Sequence, residues 1–356
     1  MNSQLRKMIN IHRKVSHNTL KTYESHLNGI SKQFNNGKVI YKPFIRKNID
    51  AILDFYKGKE FSEAKFNGVV SIILVVLSPK AKFKQAKRDT ELYNKINGIL
   101  TTQLKKYEDD KIKQVKTTKE KENWIEFDEI RKWIENNYKD IMTGDKKRVG
   151  YFEGLQKLLI VMLYHFIPPR RLDYSDMIIT TEEQYNKMDK RNVNAFVITP
   201  QKDIFSNDPK LCYGSAFISF GADLAKSKRK EDCVIVHMGG AGCRLTQFDK
   251  NRAFDEFPPI VRILVERIVD EIPEDENGNY LMLRNSNGDK LSKPSMTKLI
   301  KKIYKKEFGK NAVGASLLRK IYLSNMKEID MEKRKRVAEI MNHKVMTGLT
   351  IYTKKD

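Results

Sequence analysis

The stretch of residues 152–166 most constrains the fold, because it is long, mostly apolar and ends abruptly. Pro168 and Pro169 follow it, and proline cannot extend a helix. Its apolar centre, residues 158–167, is too short to cross a bilayer, as is the other apolar run at 69–77. The sequence therefore predicts a buried core helix, with Arg170 and Arg171 emerging at its end.

The N-terminal part of the chain has helical periodicity. Apolar residues recur there at three- and four-residue steps, which is typical of one buried helix face. The first stripe consists of Leu20, Tyr23, Leu27 and Ile30. Ser16 or Asn18 can cap this helix, and further helices are predicted at about 46–56, 60–77 and 89–107. We expect an all-helical domain over residues 16–107, preceded by a mobile basic arm over 1–15.

Residues 108–122 are highly charged and show no apolar period. This composition favours an interdomain linker whose lysines could lie along a phosphate backbone. A solvated helix end is an equally good interpretation of the same residues.

Residues 123–356 combine helix signals with three short β-rich runs, at 195–199, 216–220 and 233–237. This part opens at 124–130 with a predicted helix to about 137, and further helices are predicted at 152–166, 258–272, 294–308, 315 to about 328 and 332–341. Gly309 stands where a C-terminal helix cap belongs. The fold class predicted for the whole chain is α-rich α+β, with an all-helical domain followed by a mixed α/β domain that has a small antiparallel sheet.

The chain carries 68 Lys and Arg against 45 Asp and Glu, a formal net charge of +23. Such an excess favours a polyanionic partner, and nucleic acid is the usual one. A lysine-rich surface inherited from an AT-rich genome is the alternative. Cys212, Cys233 and Cys243 form no CxxC pair, so neither a zinc site nor a disulfide framework is predicted. No signal-peptide core is present at the N-terminus, and we expect a reducing, intracellular location.

The C-terminal residues suggest covalent chemistry. His343 precedes Tyr352 by nine residues, and four residues follow the tyrosine. A phenol with a pKa near 10 is a weak nucleophile, but it can attack a phosphodiester when cations stabilise the charge of the transition state. The product would be a phosphotyrosyl ester, a covalent intermediate. His343 alone is more often structural, so the hypothesis depends on cations elsewhere in the chain.

Two arginine positions could supply these cations. Arg170 and Arg171 either form ion pairs with Asp173 or Asp176, or clamp a phosphate in the bidentate geometry that suits arginine. Arg319 lies on a predicted helix, with Ser316 one turn before it on the same face.

A third group of cations lies in a predicted hairpin turn between the last two β-rich runs: Lys226, Lys228, Arg229 and Lys230. Exposed turns often carry lysine, so these side chains could simply be solvated. Alternatively, a lysine on such a turn could reach into a DNA groove and protonate a leaving 5′ oxygen.

The order of these residues resembles that of the tyrosine recombinase (phage integrase) family: a helix-ending R-x-x-D segment, a hairpin Lys, S-x-x-R on a helix, then His and Tyr. Residues 18–27 resemble the start of that family's helical core-binding domain, and residues 123–130 the start of its catalytic domain. The Pro-Pro-Arg-Arg-Leu-Asp-Tyr form of the arginine segment is most similar to integrases of large DNA viruses and virus-like mobile elements.

The resemblance implies a role for each matching residue. Arg319 and either Arg170 or Arg171 would hold the scissile phosphate, and the R-x-x-D spacing favours Arg170. Lys226 would be the general acid, and Tyr352 the nucleophile. The remaining implied contacts are His343 to the phosphate and Lys228, Arg229, Lys230 and Lys320 to DNA.

Two features depart from the family pattern. Ser316 stands where the family usually has a histidine, and a serine cannot accept the tyrosine proton as an imidazole does. Lys320, another group or water would have to substitute. Only four residues follow Tyr352, too few for the helix that many members dock on a neighbouring subunit.

The resemblance implies a two-domain clamp around double-stranded DNA that integrates or excises viral or mobile DNA through a 3′-phosphotyrosyl link. A homotetramer on paired DNA sites, no cofactor, no metal and no membrane are expected, with a location in the host cytoplasm or nucleus. The alternatives are a type IB topoisomerase and a catalytically inactive DNA-binding protein of the same fold.

Overall fold

The structure is a computed structural model that describes residues 17–40, 42–58, 61–78, 87–199, 216–221, 233–238, 258–326 and 330–354. The chain divides into two compact units, one reaching to Asp110 and the other beginning at Lys111. The described residues are rich in helix and include one small sheet, in agreement with the predicted α-rich α+β class. None of their helices is both long and apolar enough to span a bilayer.

Four helices make up the described part of the N-terminal unit: α1 (His17–Phe34), α2 (Lys42–Lys57), α3 (Glu63–Leu77) and α4 (Lys87–Ile112). Each corresponds to one predicted from the apolar periodicity. The Ser62 hydroxyl caps α3 by accepting a hydrogen bond from the Lys65 amide at 3.2 Å. The apolar second half of α3 is buried throughout and forms the centre of this unit's core.

The second unit is built around one long helix whose second half, residues 158–166, is buried on all sides. It contains α5 (Thr118–Asn123), α6 (Phe127–Thr143), α7 (Tyr151–Phe166), a 3-10 turn (Asp173–Asp176), β1 (Ile178–Thr181), α8 (Glu182–Lys187), β2 (Ala195–Ile198), β3 (Ala216–Phe220), β4 (Val234–His237), α9 (Pro259–Val269), β5 (Tyr280–Leu281), α10 (Lys293–Phe308), α11 (Ala315–Ser324), α12 (Met331–Ile340), α13 (Val345–Thr347) and a π-helical turn (Gly348–Tyr352). Helices α6, α9 and α11 pack against α7. A fully buried leucine such as Leu159 contributes about 1.5–3 kcal/mol to stability.

The sheet has the strand order β4-β3-β2-β1-β5. Strands β1 and β2 are parallel, with Ile178 opposite Ala195, and the other neighbouring pairs are antiparallel. The predicted antiparallel sheet was therefore wrong in part, since the sheet is mixed. Strands β1 and β5 and helix α8 were not predicted from the sequence. A parallel pair needs a crossover connection, which contains α8 here, and strands this short leave little periodic signal.

Residues 108–122, which were predicted to form a linker or a solvated helix end, are largely ordered as helix. Helix α4 continues to Ile112, and α5 begins at Thr118 with a capping box. The Thr117 hydroxyl accepts a hydrogen bond from the Glu120 amide at 3.2 Å, while the Glu120 carboxylate accepts one from the Thr117 amide at 2.9 Å. These reciprocal bonds satisfy two backbone N–H donors at the start of α5. The charged composition of the segment does not by itself predict them.

Candidate active site

Helix α11 places Arg319 in the interior of the second unit. The side chain is 2% exposed, and its Nη2 donates a hydrogen bond to the carbonyl oxygen of Met341 at 2.9 Å. Its Nε is buried and has no hydrogen-bond partner among the described residues. Burial lowers the pKa of Arg319, although a guanidinium stays charged at any ordinary pH. The site therefore contains a fixed positive charge with an unused donor.

Tyr352 lies directly against this charge. It ends the π-helical turn, and its ring centre is 4.8 Å from the guanidinium carbon of Arg319. This is a cation–π contact. The ring belongs to a small apolar cluster with Tyr322, Leu323, Met326, Val337 and Met341, and the residue is 6% exposed. Tyr352 and Arg319 are therefore held together although they lie 33 positions apart in the sequence.

His343 is the third candidate residue at this site. Its ring centre lies 5.3 Å from that of Tyr352, and its Nδ1 is 2.9 Å from the carbonyl oxygen of Lys344. A carbonyl can only accept, so Nδ1 carries the proton and Nε2 is the acceptor of the neutral ring. Nε2 is buried and has no partner among the described residues. A side chain at Gly348 would come within 3.0 Å of the His343 ring, so the glycine makes room for it.

The electrostatic environment keeps His343 neutral near pH 7. Its pKa is lowered to about 4, mainly by burial; the hydrogen bond to the Lys344 carbonyl opposes this shift, and the positive charges of Arg319 and Arg171 add to it. Arg171 therefore belongs to the same electrostatic neighbourhood as His343 and Arg319.

The two arginines after α7 have different surroundings. Arg170 is 4% exposed, its Nη1 lies 3.6 Å from Asp173 Oδ2, and its guanidinium carbon lies 4.4 Å from the ring centre of Phe220. One of the ion pairs considered for this segment is thus present. Arg171 is exposed, while its backbone carbonyl accepts a hydrogen bond from the Tyr164 hydroxyl. The R-x-x-D spacing therefore identifies Arg170, which anchors the segment to Asp173. The neighbouring Arg171 is the accessible arginine.

A cleft of about 420 Å³ brings Arg171 together with Ser316 and Lys320. Helix α11 begins at this cleft with Gly314 as its N-cap, which has no side chain to cap the first turn. The other polar side chains that line the cleft are Thr117, Lys119, Glu120, Thr297 and Lys301. The four cationic side chains outnumber the single carboxylate, so the cleft favours an anion. Lys320 forms an ion pair with Glu120 there.

The predicted hairpin group lies outside the described residues. It consists of Lys226, Lys228, Arg229 and Lys230, and Cys212 and Cys243 also fall outside these ranges. Among the described residues, no group of three or more His, Cys, Asp or Glu side chains is placed to bind a metal ion.

Two charged residues near the site, Glu120 and Lys354, were not predicted from the sequence. Glu120 could have been found from the capping-box pattern Thr117-x-x-Glu120, which predicts a helix start rather than a linker. No local pattern marks Lys354, since its burial depends on partners far away in the sequence. Comparisons with family models, with curated proteins and with solved structures found no match.

Proposed function

We propose that this protein breaks and rejoins DNA strands, with Tyr352 as the nucleophile, as the resemblance to tyrosine recombinases implies. The observation that supports this most strongly is the cluster of Arg319, His343 and Tyr352. The sequence predicted these three residues for one phosphoryl-transfer reaction, and they lie close together. The Tyr352 ring centre is 4.8 Å from the guanidinium carbon of Arg319 and 5.3 Å from the ring centre of His343. The net charge of +23 favours the polyanionic substrate that such a site needs.

In the proposed reaction, the phenol oxygen of Tyr352 attacks the phosphorus of a phosphodiester, and the bond to the 5′ oxygen breaks. A 3′-phosphotyrosyl ester and a 5′-hydroxyl result, and attack by a 5′-hydroxyl reverses the step. One phosphoester bond is exchanged for another, so no external energy source is needed. Arg319, with its unused Nε donor, would stabilise the charge on the phosphate oxygens.

Arg171 is the better candidate for the second phosphate contact. It is exposed, lines the cationic cleft and acts electrostatically on both Arg319 and His343. Arg170 is buried against Asp173 and Phe220. We infer that Arg170 fixes the segment that follows α7 and that Arg171 reaches the DNA.

His343 is our candidate acceptor for the phenolic proton, a role that Ser316 cannot fill, and the negative charge of a bound phosphate would raise its lowered pKa. Its neutral ring presents an unpaired Nε2 acceptor beside the Tyr352 ring. The proton on the leaving 5′ oxygen would come from the hairpin lysine that the resemblance implies, Lys226. Assembly on paired sites as a homotetramer, and integration or excision of mobile DNA, are further parts of the proposal that come from the resemblance.

A covalent-trapping experiment tests the proposal. Nicked duplexes or supercoiled plasmid would be incubated with the wild type, with Tyr352→Phe and with Tyr322→Phe, then separated on a denaturing gel. Tyr322 is a matched control because it is buried in the same apolar cluster as Tyr352. We expect a protease-sensitive adduct with the wild type and the control only.

Two results would change the assignment. Relaxation of plasmid without a recombinant product would favour a topoisomerase. Salt-sensitive DNA binding without any adduct in the wild type would overturn the proposal and leave an inactive DNA-binding protein.

A further inference from the structure

Residues 111–123, here called the clasp, hold the segment that contains Tyr352 at three points. The side-chain amide of Gln114 donates a hydrogen bond to the Leu349 carbonyl, and the Val115 carbonyl accepts one from Lys354 Nζ at 3.2 Å. Glu120 forms an ion pair with the same ammonium, at 3.8 Å. The clasp therefore contacts the chain on both sides of Tyr352, at Leu349 and at Lys354.

The backbone of the clasp is itself set for this contact. Gln114 has a φ of 58°, in the left-handed region that residues other than glycine rarely adopt. Its side chain is partly buried in the contact with Leu349. A strained residue persists where its surroundings determine its conformation, and here it lies against the segment that contains Tyr352.

Glu120 is the centre of the arrangement. Its side chain is 13% exposed, and it lies between Lys320, at 20%, and Lys354, at 4%. Burial alone would raise the pKa of Glu120, but hydrogen bonds from Lys320 and the Thr117 amide, with the charges of both lysines, lower it. The carboxylate is therefore ionised near neutral pH. Its charge compensates the ammonium groups of Lys320, which is partly buried, and of Lys354, which is buried.

The two lysines adjoin candidate active-site residues in the sequence. Lys320 follows Arg319 directly on α11, and Lys354 is two residues beyond Tyr352. The Lys354 amide also donates a hydrogen bond to Ser324 Oγ at 2.8 Å, at the end of α11. One carboxylate thus joins the helix that carries the arginine to the segment that carries the tyrosine.

We propose that Glu120 is a positioning residue: by pairing with Lys320 and Lys354 it holds the segment 348–354 on α11 and keeps Tyr352 in register with Arg319. The effect of Glu120 on adduct formation rests on the proposed function, whereas its effect on the order of residues 348–354 does not.

The test compares Glu120→Gln with Glu307→Gln. Glu307 is a matched control because its side chain is 15% exposed and it accepts hydrogen bonds from Lys157 at 3.0 Å and from Trp133 at 3.2 Å. None of these contacts involves residues 345–354. Amide hydrogen exchange of residues 348–354 would be followed by mass spectrometry in the full-length protein, alongside DNA affinity and the single-turnover rate of adduct formation.

We expect Glu120→Gln to speed exchange in 348–354 by about tenfold, as expected when one bond to a charged group is lost. The adduct rate should fall by about the same factor, whereas DNA affinity should not fall, because the variant removes the one carboxylate from the cationic cleft. Lys354→Met should behave alike, while Glu307→Gln should alter neither quantity. If Glu120 only stabilised the fold, both glutamine variants would have a lower melting temperature. Their rates of hydrogen exchange in 348–354 and of adduct formation would then not differ from each other.

Unchanged exchange in Glu120→Gln would overturn the inference, and so would faster exchange with an unchanged adduct rate. If the wild type forms no adduct on any DNA, the proposed function fails, and the exchange comparison alone decides whether the clasp orders the segment.

Discussion

Buried polar side chains differ in kind between the two units of the chain. In the described part of the N-terminal unit, the buried polar side chains are His26 and Ser31, and the core is otherwise apolar. In the second unit, the described residues include four buried cations: Arg170, Arg262, Arg319 and Lys354. Burying a charge is costly unless partners compensate it, so these cations mark where the second unit departs from simple apolar packing.

The four cations are not equivalent. Arg262 pairs with Glu266 at 2.8 Å, one turn away on α9, which is a local contact within one helix. The contacts of Arg319 and Lys354 instead join segments far apart in sequence, and both lie within a few residues of the tyrosine or against it. A buried cation whose partners are distant in sequence is therefore a stronger candidate for a functional site than one that is paired within its own helix.

The largest expected effect separates two buried arginines. Arg319→Lys keeps a charge but loses the planar fork, and it should lower the rate of adduct formation by about 10²–10³-fold. Arg262→Lys should leave that rate unchanged and affect only stability. Single-turnover kinetics on nicked DNA measures both variants, and equal rate losses would break the distinction between the two arginines.

The next effect concerns the apolar unit. Ile72 is fully buried in α3, and Ile72→Ala should lower the free energy of unfolding of the N-terminal unit by about 2–5 kcal/mol because it leaves a cavity. Val39 is 42% exposed, so Val39→Ala should cost less than about 0.5 kcal/mol. Urea unfolding measures both, and a small loss for Ile72→Ala would show that this core is loosely packed.

Acid should destabilise the second unit through two neutral histidines. Burial lowers the pKa of His165, stacked on Phe127, to about 3, and that of His343 to about 4. Below about pH 6.5 the unfolded chain binds protons that the folded protein does not, so stability falls as pH falls towards these values. The slope is at most about 1.4 kcal/mol per pH unit for each buried group.

The measurement is the midpoint of urea unfolding between pH 7 and pH 4. His165→Leu removes one of the two groups and should flatten the pH dependence. A variant that keeps the full wild-type slope would show that His165 is protonated in the folded protein.

The smallest effect compares two helix caps. Ser62→Ala in the N-terminal unit and Thr117→Ala in the clasp each remove one cap and should each cost about 1 kcal/mol. Thr117 also orients Glu120, so only Thr117→Ala should speed hydrogen exchange in residues 348–354. Equal exchange rates in the two variants would show that the Thr117 cap has no effect on the order of residues 348–354.

Local patterns in the sequence predicted most of the helices, because apolar periodicity, caps and prolines act over a few residues. The pair Pro168-Pro169 ends α7 as expected, and Gly309 caps α10 with a φ of 68°. The parallel pairing of β1 with β2 was not predictable in the same way. It depends on contacts across a crossover, and the four residues of β1 carry no distinctive alternation.

The sequence by itself determined the helical elements and the residues whose chemistry suits phosphoryl transfer: the two arginine positions, His343 and Tyr352. Only the tertiary structure decided that Arg319, His343 and Tyr352 share one cluster, that Arg170 is buried while Arg171 is accessible, and that Glu120 holds Lys354. The physical reason is distance along the chain. Periodicity and capping are set by neighbours within a few residues, whereas burial, ion pairing and pKa depend on partners that the fold brings from hundreds of residues away.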